Sequence, residues 1–218
     1  MAHANRTVQD LLGEVLAALA YGEELGAKRA QDAVALAPDF RAAAQQQHIA
    51  DLEHQNWELV DARVREMHGE AFVEIVRPFF DSFFAHTEPK DWLEAQTFHY
   101  VGDALVSDFA DVLIPLLDRV SAEVVRRALR DREDQETFAL DELTRAMRED
   151  PSASERIRKF SQRVVGEAFT QTSRAIGATE GLRALLGGAE AGRRFVIQML
   201  DGHRKRLDRL GIEPVEND

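Results

Sequence analysis

Six polar residues stand on the inward faces of helical segments in this chain, and their types and spacing could do chemistry. In "DLEHQNWELV" (51–60), Glu53 and Asn56 are three residues apart and share a helix face. Arg132 and Gln135 repeat that spacing further along, while Glu23 and Asp103 each stand singly on an apolar stripe. An acid followed three positions later by histidine lets one helix offer a carboxylate oxygen and a neutral nitrogen to the same metal ion. Here the spacing is kept, but amides stand where histidines would, and a permanent cation stands where an acid would. An unpaired charge on a core face is costly, so these groups should answer one another. The Arg132 guanidinium can donate to Glu23, Glu53 or Asp103, with Asn56 and Gln135 completing the hydrogen bonds. Three acids then face one base, so either one acid keeps its proton or another cation enters.

Other residues compete for a place in the centre. His99 lies one turn before Asp103 on the same face and could supply an imidazole, although a satisfied core histidine is the plainer reading. Asp51 and His54 have metal-like spacing but lie on the side that bears Glu58, which reads as solvated. Glu133 and Glu136 share that spacing, with Glu133 off the apolar stripe. Glu167, in "VVGEAF", supports either the bundle or the centre. No phosphate-cradling glycine loop, nucleophile elbow or H-E-x-x-H zinc motif occurs.

The elements that must position these residues are all helical in pattern, and no strand periodicity or internal repeat competes. Helical spacing predicts helices over 7–35 and 40–68, with Gly69 as the stop. The stretch 71–89, with Phe79, Phe80, Phe83 and Phe84, reads as an apolar crossover. A third long helix is expected from Pro89 to about 114, and a fourth over 122–147, capped by Ser121. Two more follow at 154–176 and 189–210. The last, with Phe195, Val196, Met199 and Leu200, must pack either on the bundle or in a homodimer. Two helix pairs joined by a long crossover give an all-α, ferritin-like four-helix bundle with extra C-terminal helices. The expectation is one domain over 1–218, with the core bundle at about 7–147 and additional helices at about 154–210.

The composition narrows the partners. The 218 residues carry a formal charge of −12, with 44% hydrophobic and 30% charged residues, as in an ordinary globular protein. Nucleic-acid affinity rests largely on lysine and arginine contacts to phosphate, so tRNA is not favoured. The densest basic run, "HRKRLDR" (203–209), reads as a solvated helix face. Without cysteine there is neither disulfide nor thiolate ligand. No run approaches a membrane span and no signal pattern opens the chain, so a cytoplasmic protein is expected.

The stretches "LAYGEELGAKRAQDAVALAP" (19–38), "EHQNWELVDARV" (53–64), "DWLEAQTFHYVGDALVSDF" (91–109) and "RKFSQRVVGEAFTQ" (158–171) carry a further signal. With the helix order, the chain resembles, over about 7–178, actinobacterial ferritin-like proteins related to the tRNA hydroxylases of 2-methylthio-isopentenyl-adenosine. The resemblance implies a di-iron carboxylate bundle in which Glu23, Glu53 and Asp103 match metal ligands. It also implies that Asn56 and Gln135 fall on lost histidines, and Arg132 on a lost acid. The favoured expectation is a degenerate centre without metal and a binding or structural role. The alternative is an oxygen-dependent hydroxylase acting on modified tRNA or another apolar substrate. Its two irons would need His54, His99 or Glu136 to complete the coordination. A single divalent ion on Glu23, Glu53, Asp103 and His99 lies between the two.

Overall fold

A computed structural model describes residues 8–130, 132–186 and 189–213, and every regular element among them is helical. The first two helices, α1 (Val8–Val34) and α2 (Phe40–Glu66), pair along their length across a short loop. Asp39 caps α2 by accepting from the Ala42 amide, which fixes where the hairpin turns. At the far end of α2 the left-handed residue is His68 (φ 55°), not Gly69. Gly69 serves closeness instead: a Cβ there would lie 3.0 Å from the Gly13 carbonyl of α1.

The crossover contains a 3₁₀ turn (Glu70–Phe72) and α3 (Val73–His86), which lies against α1 and α8. Arg29 of α1 ties down its end, donating to the Phe84 and Thr87 carbonyls at 2.6 and 2.8 Å. The third bundle helix starts at α4 (Trp92–Phe98), capped by Asp91 and not led by Pro89. It passes through a π-helical stretch, His99–Asp103, before resuming as α5 (Ala104–Leu113). Such stretches are uncommon and often mark functional sites.

The expected fourth helix over 122–147 is two helices. After a 3₁₀ turn (Ile114–Leu116), α6 (Arg119–Ala128) packs on α2, and α7 (Arg132–Glu149) packs on α4. Their apolar faces serve different clusters. Val125 and Ala128 join Leu16, Leu19 and Val60 at one end of the bundle, while Ala139 and Leu143 join Phe98, Ile157 and Phe160 at the other. One straight helix would have to serve both, and the break lets each half turn to its own. Asp118, not Ser121, is the cap of α6, and Ser121 is buried with its hydroxyl on Asp118.

Outside the bundle lie α8 (Ala153–Ala178), α9 (Glu180–Leu186) and α10 (Ala189–Arg209). Phe195 and Met199 of α10 turn into the core, whereas Val196 and Leu200 face outward. The basic run is partly spent internally: Arg206 holds Asp108 with two bonds of 3.0 and 3.1 Å, and Arg209 pairs with Glu136. No helix among the described residues is long and apolar enough to cross a membrane.

Candidate functional site

Each of the four bundle helices contributes to one buried polar centre. Glu23 (α1), Glu53 and Asn56 (α2) and Gln135 (α7) are all at most 6% exposed. Arg132 begins α7, directly after the break, so its side chain can reach across the bundle. Its guanidinium donates to Glu23 Oε1 at 2.6 Å and lies 3.9 Å from Glu53 Oε2. It also donates at 2.9 Å to Asp103, but to the backbone carbonyl. The Asp103 carboxylate turns to His99 Nδ1, 2.8 Å away along the π stretch.

The expected role of the amides needs correction. Asn56 Nδ2 and both amide atoms of Gln135 are buried without a hydrogen bond of good geometry, as are Arg132 Nε, Glu23 Oε2 and Glu53 Oε1. Gln135 faces Glu53 closely enough to favour its charged form, yet closes no bond of its own. Asn56 and Gln135 therefore share the centre with the ions and do not complete the Arg132 network.

Sequence reasoning missed the residues behind His99. Its Nε2 lies 3.3 Å from the Gln46 amide, which also donates to the Ala30 carbonyl, and Gln96 donates to Gln46 Oε1 at 2.9 Å. Both glutamines are at most 1% exposed. The signal was present: Gln46 stands two turns before Glu53 on one stripe, and Gln96 three residues before His99. This chain anchors both nitrogens of His99, making it a positioned core residue at the edge of the centre.

The remaining candidates stand elsewhere. His54 is exposed and pairs with Glu58, and Glu136 lies on the surface with Arg209. Asp51 is exposed and accepts from Gln47, and Glu133 is exposed, off the apolar stripe as its position in the sequence implies. Glu167 holds the crossover to α8, contacting His86 at 3.1 Å and Gln171 at 2.7 Å.

Burial dominates the electrostatics. It pushes the Glu53 carboxyl up to about 8, against the pull of Arg132 and with a further push from Glu23 and Asp103. Glu23 is raised as well, first by burial, with Arg132 opposing. The neighbouring acids hold Arg132 protonated despite its burial, so its pKa rises. With the shorter contact to Glu23, the consistent arrangement is Glu23 and Arg132 charged and Glu53 carrying a proton at neutral pH.

That proton has a consequence for stability. The folded Glu53 keeps a proton that the unfolded chain releases near 4.5, so its contribution is full below 4.5 and is lost as pH rises through about 8. His203, held neutral by burial down to about 4, acts oppositely but only below its ordinary 6.5. Between pH 6.5 and 8 the melting temperature is therefore expected to fall as pH rises, and Glu53→Gln to flatten that slope. Thermal melts across that window check this; an unchanged slope in the variant would refute the assignment of the proton.

A metal requires acceptors free of a competing cation, and here the carboxylates of Glu23 and Glu53 face a guanidinium. The guanidinium lies against both Glu23 and Glu53, and its Nε–H, which cannot become a ligand, is buried without a partner. Among the described residues no three histidine, aspartate or glutamate side chains gather as a metal site. The residues present do not fit a di-iron centre.

A model of a ferritin-like domain of actinomycetes matches residues 2–189. The chain belongs to that family. No curated protein matches it. Membership in the actinomycete ferritin-like family accords with the helix order and crossover, and it covers the whole four-helix bundle, including all six polar positions of the centre.

Proposed function

We propose that this ferritin-like protein has an internal guanidinium in place of the metals of a di-iron bundle, and that its role is binding or structural. The observation that carries the reading is Arg132, which donates to Glu23 and to the Asp103 carbonyl from the middle of the ligand positions. A cation fixed by hydrogen bonds balances the buried carboxylates without offering an exchangeable coordination position. The likeness to tRNA hydroxylases then describes descent. A charge of −12 opposes phosphate binding, and the basic run at 203–209 spends Arg206 and Arg209 on Asp108 and Glu136.

Metal analysis by mass spectrometry tests this, on protein purified without chelator and again after anaerobic loading with ferrous iron. Substoichiometric metal is expected in both samples. Two irons per chain would overturn the reading in favour of an oxygen-dependent hydroxylase. One tightly held ion would overturn it in favour of a mononuclear site on Glu23, Glu53, Asp103 and His99.

A further inference from the structure

A second feature lies outside the four-helix interior, between α1 and α5 on one side and α3, α8, α9 and α10 on the other. It is a half-enclosed cavity of about 130 Å³. Neither α2, α6 nor α7 reaches it, so it does not communicate with the bundle interior through those helices. Phenylalanines dominate its wall: Phe79, Phe80 and Phe83 from the crossover, Phe109 from α5 and Phe195 from α10. Phe109 and Phe195 meet edge to face at 5.5 Å, which holds the α5–α10 wall in place. Gly22 lets the crossover lie close, since a Cβ there would come within 2.9 Å of the Phe80 ring.

We propose that this cavity is a binding site for a small neutral apolar molecule, about the size of a six-membered ring, with at most one polar group. Native interiors are packed with few voids larger than a water, so a space of this size is not ordinary packing. A sealed apolar cavity of about 150 Å³ takes up benzene, and this half-enclosed one offers comparable room. Among the described residues no charged side chain lines it, so an ion would lose its hydration without compensation. The polar side chains on the wall are Gln171 and Thr172, both on α8, which places the one polar group of a ligand at that edge. The Gln171 amide nitrogen is already committed to Ser82 and Glu167. Gln171 Oε1, an acceptor, is then best matched by the hydroxyl of a ligand with an otherwise hydrocarbon body. This site goes beyond the reading of the polar centre and requires nothing of it.

The test is titration of the full-length protein with toluene, followed by methyl NMR. Saturable shifts are expected at Leu19, Leu105, Val106 and Met199, with a Kd below about 1 mM. Ala168→Phe, which fills the cavity from α8, should weaken binding at least about tenfold, or 1.4 kcal/mol. If circular dichroism shows that this variant is unfolded, Leu105→Phe fills the space from α5 instead. Absence of saturable shifts in the wild type, or equal binding in a folded filled variant, would overturn the proposal.

Discussion

Arg132→Met is expected to lower stability by about 3–5 kcal/mol, because it removes the cation and leaves its carboxylate partners buried. For a chain of this length that corresponds to a loss of roughly 10 °C or more in Tm. The methionine would fill much of the space, so packing loss is a small part of the effect. Glu23 loses a 2.6 Å donor, the Asp103 carbonyl loses another, and Glu53 loses its nearest positive charge. Two further observations separate this account from simple damage to the core. Combining Arg132→Met with Glu23→Gln should recover part of the loss, since the second change removes the uncompensated charge. The single variant should also gain stability as pH falls toward 5, as its carboxyls take up protons. Arg132→Lys should lie between, because a lysine keeps the charge but has no rigid fork to reach Glu23 and Asp103 together. A double variant less stable than Arg132→Met would refute the charge-balance account.

The parts of this centre that could be read from sequence are those that break a periodic pattern. Glu23, Glu53, Asn56, Asp103, Arg132 and Gln135 stand out because each is a polar residue on an apolar stripe, and a stripe is a local property. Gln46 escaped because an amide on a helix is unremarkable unless its stripe is followed two turns back from Glu53. The π stretch at His99–Asp103 has no glycine or proline to mark its start, and it is defined by packing against α7, α8 and α10. It matters, because there Asp103 gives its carbonyl to Arg132 and its carboxylate to His99. The break before Arg132 was hidden for a similar reason. The run "RRALRDRED" contains no breaker, and only the division of Val125 and Leu143 between two clusters requires it. Helix existence was therefore legible, whereas interruptions decided by tertiary partners were not. The apolar wall around Phe80 was legible only as a crossover, since the cavity depends on six helices meeting.

If three positions separate this centre from a metal site, changing those three should restore one. The variant combining Asn56→His, Arg132→Glu and Gln135→His would replace each proton-presenting group with a ligand at the spacing the helices already hold. Its metal-free form should be markedly unstable, because the cation that answers Glu23 is gone and a further acid has joined Glu23 and Glu53. Divalent metal should reverse that loss, because binding to the folded state alone stabilises it by mass action. The expected result is uptake of ferrous iron or cobalt(II) by the variant, a rise in Tm of about 10 °C or more on loading, and neither effect in the wild type. The change in Tm is measured on the same protein with and without metal, so poor folding of the metal-free form does not obscure it. Arg132→Glu alone should gain less, since both nitrogen ligands would still be absent and the His99 ring is held by Asp103 and Gln46. A triple variant that folds but neither binds metal nor gains stability would show that the backbone at α2 and α7 has drifted from ligand geometry. Arg132 would then be the consequence of that drift and not its cause.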